Sequence, residues 1–398
     1  MKNKNIIITL SLLILISWGC EESSETQPGE NASFFDFELF KTIESNETKD
    51  NFMVSPLSIF LALSMAYNGA EGDTKEAFDQ VLRNDMPISV FNQDNQEMVS
   101  RLSSNTTESG FAIANSMWIH ETLSVRDAFI RLNKDYYDSE VSSLDLRNPA
   151  SVNVINKWVS DRTSGKVKDM LKEINGVMLL VNTVYFNMQW EGGGFEIEKT
   201  RQAVFYKADG SELDVDMMSG EWSVPYLEND LFASIVLPYQ GDEFSMVLVL
   251  PQEGKTVGDV VEDLAERDRN EWLEAFEDKV VYVEMPKFKM KYTQLLNEAL
   301  IDMGLGIAFS GEFTADFSGI TGDRSLYISR VLHSTSIDVN ETGTEAAAST
   351  VVEFDMVSIS YQRILSLNRP FLFMVKENKT GTFLFMGRVG APSYDDKG

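Results

Sequence analysis

Hydrophobic and polar positions along the 398 residues fall into two regimes. In the first part, apolar residues recur at helical spacing. Phe34, Phe35, Phe37, Leu39 and Phe40 open one helix, and Ile59, Leu63, Ala66 and Tyr67 mark the stripe of a second. Ser55 stands at the N-cap of that second helix, Pro56 takes its first position, and Asn68-Gly69 stops it. Val152, Ile155, Trp158 and Val159 mark a third. Further on, the pattern changes to short apolar runs. Residues 177–186 are nearly continuous, as in a strand buried on both faces. Residues 231–238 and 244–250 flank Gln240-Gly241-Asp242, a hairpin signal. Further strands are predicted at 280–285, 371–375 and 382–389. Helices early and strands late predict an α+β class rather than alternating α/β.

The amino-terminal stretch follows a different logic. Lys2 and Lys4 precede an apolar run over residues 6–16, shorter than the ~20 residues a spanning helix needs. Gly19-Cys20 ends the run and Glu21, Glu22 and Glu25 follow. A small residue and a cysteine directly after a signal core resemble a bacterial lipobox. The expectation is a signal peptide over 1–19, a lipid on Cys20, and a polar tether over 20–32. Cys20 is the sole cysteine, so no disulfide can close within the chain and no thiol nucleophile follows. From Ser33 to the end no linker, repeat or charge block interrupts the sequence, which predicts one domain over 33–398. The chain is expected to be exported and anchored to the cell envelope, on its outer surface or in the extracellular space.

Charge narrows the partners. With 62 Asp+Glu against 34 Lys+Arg the net charge is −28. Such a surface repels nucleic acid and anionic lipid, leaving a lipid on Cys20 as the expected membrane link. Enzyme motifs are scarce. The chain has two histidines, His120 and His333, and no Gly-x-Ser-x-Gly, His-Glu-x-x-His or glycine-rich phosphate loop. Gly192-Gly193-Gly194 lacks phosphate-loop spacing and is a turn. Paired-carboxylate hydrolysis keeps a minority place because acids are so numerous. No catalytic residue, metal or cofactor is expected.

The informative stretch begins at His333. Residues 336–340 alternate like a strand, and Glu341-Thr342-Gly343-Thr344-Glu345 then leads into Ala346-Ala347-Ala348-Ser349-Thr350. At period two, Thr344, Ala346, Ala348, Thr350, Val352, Phe354 and Met356 form one small or apolar face, while Glu345, Glu353 and Asp355 fall on the other. This is a half-buried strand pattern. Yet it runs into Ser358, Ser360 and Gln362, which look like exposed loop.

Residues 341–350 resemble the hinge of an inhibitory serpin's reactive loop. The likeness extends in order through Asn51-Phe52-Met53-Val54-Ser55-Pro56, Asn68-Gly69-Ala70-Glu71-Gly72, Ile155-Asn156-Lys157-Trp158, Leu237-Pro238-Tyr239, Pro286-Lys287-Phe288-Lys289, Asn368-Arg369-Pro370-Phe371 and Phe385-Met386-Gly387-Arg388. The resemblance implies a serpin fold with three β-sheets, eight to nine helices and an exposed reactive loop over about 341–364. It implies a monomeric suicide inhibitor of serine, and also cysteine, peptidases, with the cleaved loop entering the main sheet. The alternative is a non-inhibitory serpin serving as a binding or chaperone-like module.

By position, the resemblance makes Glu341, Gly343, Thr344, Glu345, Ala346, Ala347 and Ala348 the hinge. Thr344, Ala346 and Ala348 should insert first. Lys287 is the partner expected for Glu341, near Trp190, and Ser55, Ser58, Asn182 and His333 form a polar cluster beneath the sheet. Counting forward from Gly343 gives Val357-Ser358 as the reactive bond, whereas counting back from Asn368 gives Ile359-Ser360. Met356 and Ile359 stay as alternatives. The forward count is preferred because hinge length governs trapping. The apolar bait implies elastase-like targets, then chymotrypsin-, subtilisin- and papain-like ones, with Arg363 too distant to serve trypsin-like enzymes. Two departures stand out: Ser334 replaces the family's usual Lys, and the turn at Gly192 to Gly194 is one residue longer.

Overall fold

The computed structural model describes residues 30–104, 111–163, 165–344 and 363–394. Helix α1 (Glu30–Asn46) buries Phe35, Phe37, Leu39, Phe40 and Ile43, so it takes in residues 30–32, which were expected in the tether. Helix α2 (Pro56–Tyr67) is buried at every position, a core helix rather than one with a solvent face. Ser55 holds its N-cap position without a side-chain cap bond. α3 (Gly72–Val81) and α4 (Ile88–Ser104) follow, then helices Asp127–Tyr137 and Ser151–Arg162. Four further α-helices, Val257–Glu266, Arg269–Glu274, Asn297–Leu300 and Ser318–Thr321, bring the α-helices among the described residues to ten, against the eight to nine expected.

The strands form two hydrogen-bonded systems. Seven strands make the first: β2 (Phe111–His120), β3 (Glu140–Leu144), β4 (Met178–Phe186), β5 (Met188–Gln189), β11 (Phe288–Leu295), β12 (Arg330–Asn340) and β13 (Gly343–Thr344). The second contains β1 (Phe52–Val54), β6 (Arg201–Tyr206), β7 (Glu212–Glu228), β8 (Phe232–Pro238), β9 (Phe244–Pro251), β10 (Glu277–Pro286), β14 (Arg363–Ser366), β15 (Phe371–Glu377) and β16 (Phe383–Val389). Two of the three expected sheets are joined because β7 pairs with β6 and β10 along one stretch and with β8 at its far end. β7 escaped the sequence pattern because Gly220 and Pro225 interrupt its alternation.

Between the systems lies one large core. Phe186 of β4 meets Tyr239, Phe244 and Phe385 edge-on, at ring-centroid separations of 5.0, 5.9 and 6.1 Å. The opposite face of the seven-stranded sheet carries a second cluster. There Val152, Ile155 and Val159 of helix Ser151–Arg162 join Trp118, Leu179, Val181 and Leu332. β4 and the facing part of β12 are therefore covered on both sides, which is why residues 177–186 read as an unbroken apolar run.

Candidate functional site

β4 and β12 run side by side in parallel, residues 179–185 against 330–336. This seam is the middle of the seven-stranded sheet. Asn182 and His333 are direct cross-strand partners on it, and both are wholly buried. Their side chains point toward α2, opposite to Val181 and Leu332, which face helix Ser151–Arg162. A polar side chain buried there needs partners, because an unpaired group would cost about 1–3 kcal/mol.

The partners are complete for both residues. The backbone N–H of Ser55 donates to His333 Nε2 at 2.9 Å, so the proton sits on Nδ1, which donates to Asn182 Oδ1. Asn182 Nδ2 donates to the carbonyl of Ser58 at 2.8 Å and also meets Ser58 Oγ and Asn115 Oδ1. Burial pushes the His333 imidazole down to about 3, so it is neutral. The four residues expected in one polar cluster are together. Ser55 takes part through its backbone, while its buried hydroxyl has no hydrogen-bond partner among the described residues.

At the upper end of the seam a third strand has entered. Thr344 of β13 lies opposite Val339 on one side and Met188 on the other, and Gly343 lies opposite Asn340 and Gln189. Thr344 is fully buried, and its hydroxyl lies 2.7 Å from the phenolic oxygen of buried Tyr239. The expectation that Thr344 waits outside the sheet is thus corrected. A buried tyrosine hydroxyl needs a partner, and Thr344 supplies one. Gly343 is required by proximity, since a Cβ there would overlap the carbonyl oxygen of Met188.

The hinge root is gripped from both sides. Trp190 stacks on Tyr239 at 4.6 Å, its indole N–H donates to Asn340 O at 3.0 Å, and its backbone N–H donates to Thr342 O at 3.0 Å. Phe195 N donates to Glu341 O at 2.9 Å. Gly194, with φ +81°, lies so close that a Cβ would overlap that same carbonyl oxygen. The Glu341 carboxylate meets Lys287 Nζ at 3.0 Å and accepts from Thr200 Oγ1 at 2.8 Å. The expected Lys287–Glu341 pair beside Trp190 is present.

The hinge residues Glu345, Ala346, Ala347 and Ala348, the bait residues Met356, Val357, Ser358 and Ile359, and Cys20 lie outside the described residues. Ser334, at the family's Lys position, is buried and pairs its hydroxyl with Thr293 at 2.8 Å. Sequence reasoning assigned no role to Asn115 or Thr200, and it read Gly194 only as part of a turn and Tyr239 only as part of a family-like motif. Asn115 carried a signal, standing with Ser116 as a polar pair between the apolar runs Phe111 to Ala114 and Met117 to Ile119.

A family model described as Serpin (serine protease inhibitor) matches residues 30–392. The chain belongs to the serpin family. An uncharacterised serpin-like protein of Methanosarcina acetivorans is 31% identical over 98% of both chains. The thermophilic serpin tengpin in its native state superposes with a TM-score of 0.84 at 32% identity, covering 91% of this chain and 93% of its own. Human thyroxine-binding globulin, solved in complex with thyroxine, gives a TM-score of 0.82 at 28% identity, covering 91% of this chain and 98% of its own. Serpins are generally inhibitors of peptidases rather than enzymes.

His333 makes this serpin's seam sensitive to acid. Its folded value near 3 lies below the 6.5 of a free imidazole, so its stability contribution is full above 6.5 and is lost as pH falls toward 3. Buried Asp36, raised to about 6 by desolvation despite Arg269, works in the opposite direction. The informative quantity is therefore the difference between parent and His333→Gln. Between pH 8 and pH 5 the parent should lose about 2 kcal/mol more in urea unfolding than the variant. Equal losses would contradict this role.

Proposed function

We propose that this serpin inhibits serine peptidases as a suicide substrate, with cleavage between Val357 and Ser358. The observation that carries the reading is β13, because its register continues down the seam. Each further residue of the hinge steps one residue back along β12 and one along β5 and β4. Ala346 would fall between Ile337 and Phe186, Ala348 between Thr335 and Val184, and Thr350 between His333 and Asn182. All would face the core side, as Thr344 does. The small or apolar face read from the sequence matches that demand. Thr350 would bring a hydroxyl to the point where the His333–Asn182 hydrogen bond must break.

In this mechanism the peptidase serine attacks the carbonyl carbon of Val357, and the chain beginning at Ser358 leaves. The acylated segment then enters between β4 and β12. The 14 residues from Thr344 to Val357 span about 45 Å as a strand, enough to carry the peptidase from one end of the sheet to the other. The serpin supplies no catalytic group. Elastase-like enzymes suit the apolar bait best, with chymotrypsin-, subtilisin- and papain-like enzymes as further targets. Thyroxine-binding globulin, named for a bound ligand, gives some support to a non-inhibitory binding module. The small residues and absence of proline from Thr344 to Thr350 favour inhibition.

For the amino-terminal segment the proposal is a lipid on Cys20 that anchors the serpin domain to the cell envelope. Its support is the sole cysteine placed directly after a short apolar run. Cys20→Ala should move the protein into soluble fractions, and continued partition with membranes would contradict lipid anchoring.

The central test mixes the full chain with elastase and looks for an SDS-stable complex. Mass spectrometry of the released peptide should show Ser358 at its start, and cleavage solely after Arg363 would overturn the assignment. Thr344→Arg places an unpaired charge against Tyr239, at a cost of several kcal/mol. It should therefore be cut at the same bond and form at least about tenfold less complex. If it traps elastase as well as the parent does, loop insertion is not the mechanism.

A further inference from the structure

Beyond β16 the chain turns back over the molecule under the control of Asn51. The Asn51 carboxamide accepts from Gly390 N and Ala391 N at 2.9 and 2.8 Å and donates to Ala391 O at 2.6 Å. The chain then reaches the edge strand β11, where Ser393 O accepts from Lys289 N at 2.8 Å. Tyr394 comes to lie with its ring centroid 4.3 Å from Lys287 Nζ and 4.7 Å from Lys289 Nζ.

Both lysines are already committed to the top of the seam. Lys287 pairs with Glu341 at 3.0 Å and Lys289 with Asp338 of β12 at 3.2 Å. Burial, and then the charge of Asp338, push the Tyr394 phenol up to about 12. One ring thus caps two ammonium groups that Glu341 and Asp338 already hold in ion pairs, and adds its face to both. Glu341 in turn bridges the two sides of the hinge root, through Lys287 on one and through Phe195 and Thr200 on the other. Opening the seam from the top must stretch that bridge.

We propose that residues 391–394 form a strap that holds the top of the seam closed and so slows entry of the bait segment. The slowing rests on the inhibitory reading; the holding does not. Hydrogen exchange on the full chain, followed by mass spectrometry over residues 337–344, tests it in the parent, Tyr394→Ala and Tyr394→Phe. Loss of the ring should speed exchange there by about 5- to 30-fold. Tyr394→Phe, which keeps the ring and loses only the hydroxyl that meets Asp338 and Asn340, should stay closer to the parent than Tyr394→Ala does, and β8 should be unchanged in all three. Parent-like exchange in Tyr394→Ala would overturn the strap, as would equal acceleration in β8. Exchange in Tyr394→Phe as fast as in Tyr394→Ala would overturn the ring-over-lysine basis. If Tyr394→Ala exchanges faster but even the parent traps no peptidase, the strap stands and the inhibitory reading falls.

Discussion

Asn182 and His333 face each other across two parallel strands, and their side-chain hydrogen bond crosses the line along which the sheet would have to part. The seam is covered on both faces by apolar clusters, so these strands would otherwise pair by a continuous ladder with nothing marking where it could open. A buried polar pair changes that. It is stable only while every donor and acceptor is met, and it can exchange one partner for another of similar chemistry without leaving a group unpaired.

The top of the seam obeys a related constraint. Thr344 is seated against Tyr239, while Glu341, two residues before Gly343, is tied to both sides of the opening. Ordering at this end has begun, so further insertion would extend an existing strand rather than nucleate a new one. Gly343 and Gly194 permit the close approach, since a side chain at either would drive the hinge away from β5 or from Trp190. The hinge root is thus a set of close contacts around two glycines, and the lower seam is a ladder guarded by one imidazole.

Much of this was legible in the sequence. The run over 177–186 announced a strand buried on both faces, and the alternation from 336 to 340 announced β12. Glu341 and Lys287 pair as the resemblance implied, with Trp190 bonded to the flanking Asn340 and Thr342, and Ser55, Ser58, Asn182 and His333 meet as well. Other features depend on tertiary contacts that periodicity does not encode. Thr344 reads as a small residue on a mobile segment until Tyr239 arrives from β8's end to meet it. Ser55 looked like a side-chain cap, yet it makes no cap hydrogen bond, and its backbone N–H is what matters, donating to His333 Nε2. β7 hid behind a glycine and a proline, and its length is what fuses two sheets into one.

The proposed loop insertion requires a fold that is not yet at its most stable strand count. Thermal unfolding before and after cutting the loop at a single bond measures that directly. Addition of a strand of about ten backbone hydrogen bonds, at roughly 1 kcal/mol each, should raise the melting temperature by about 10 °C or more. A cleaved chain that melts at or below the temperature of the intact one would contradict the proposal.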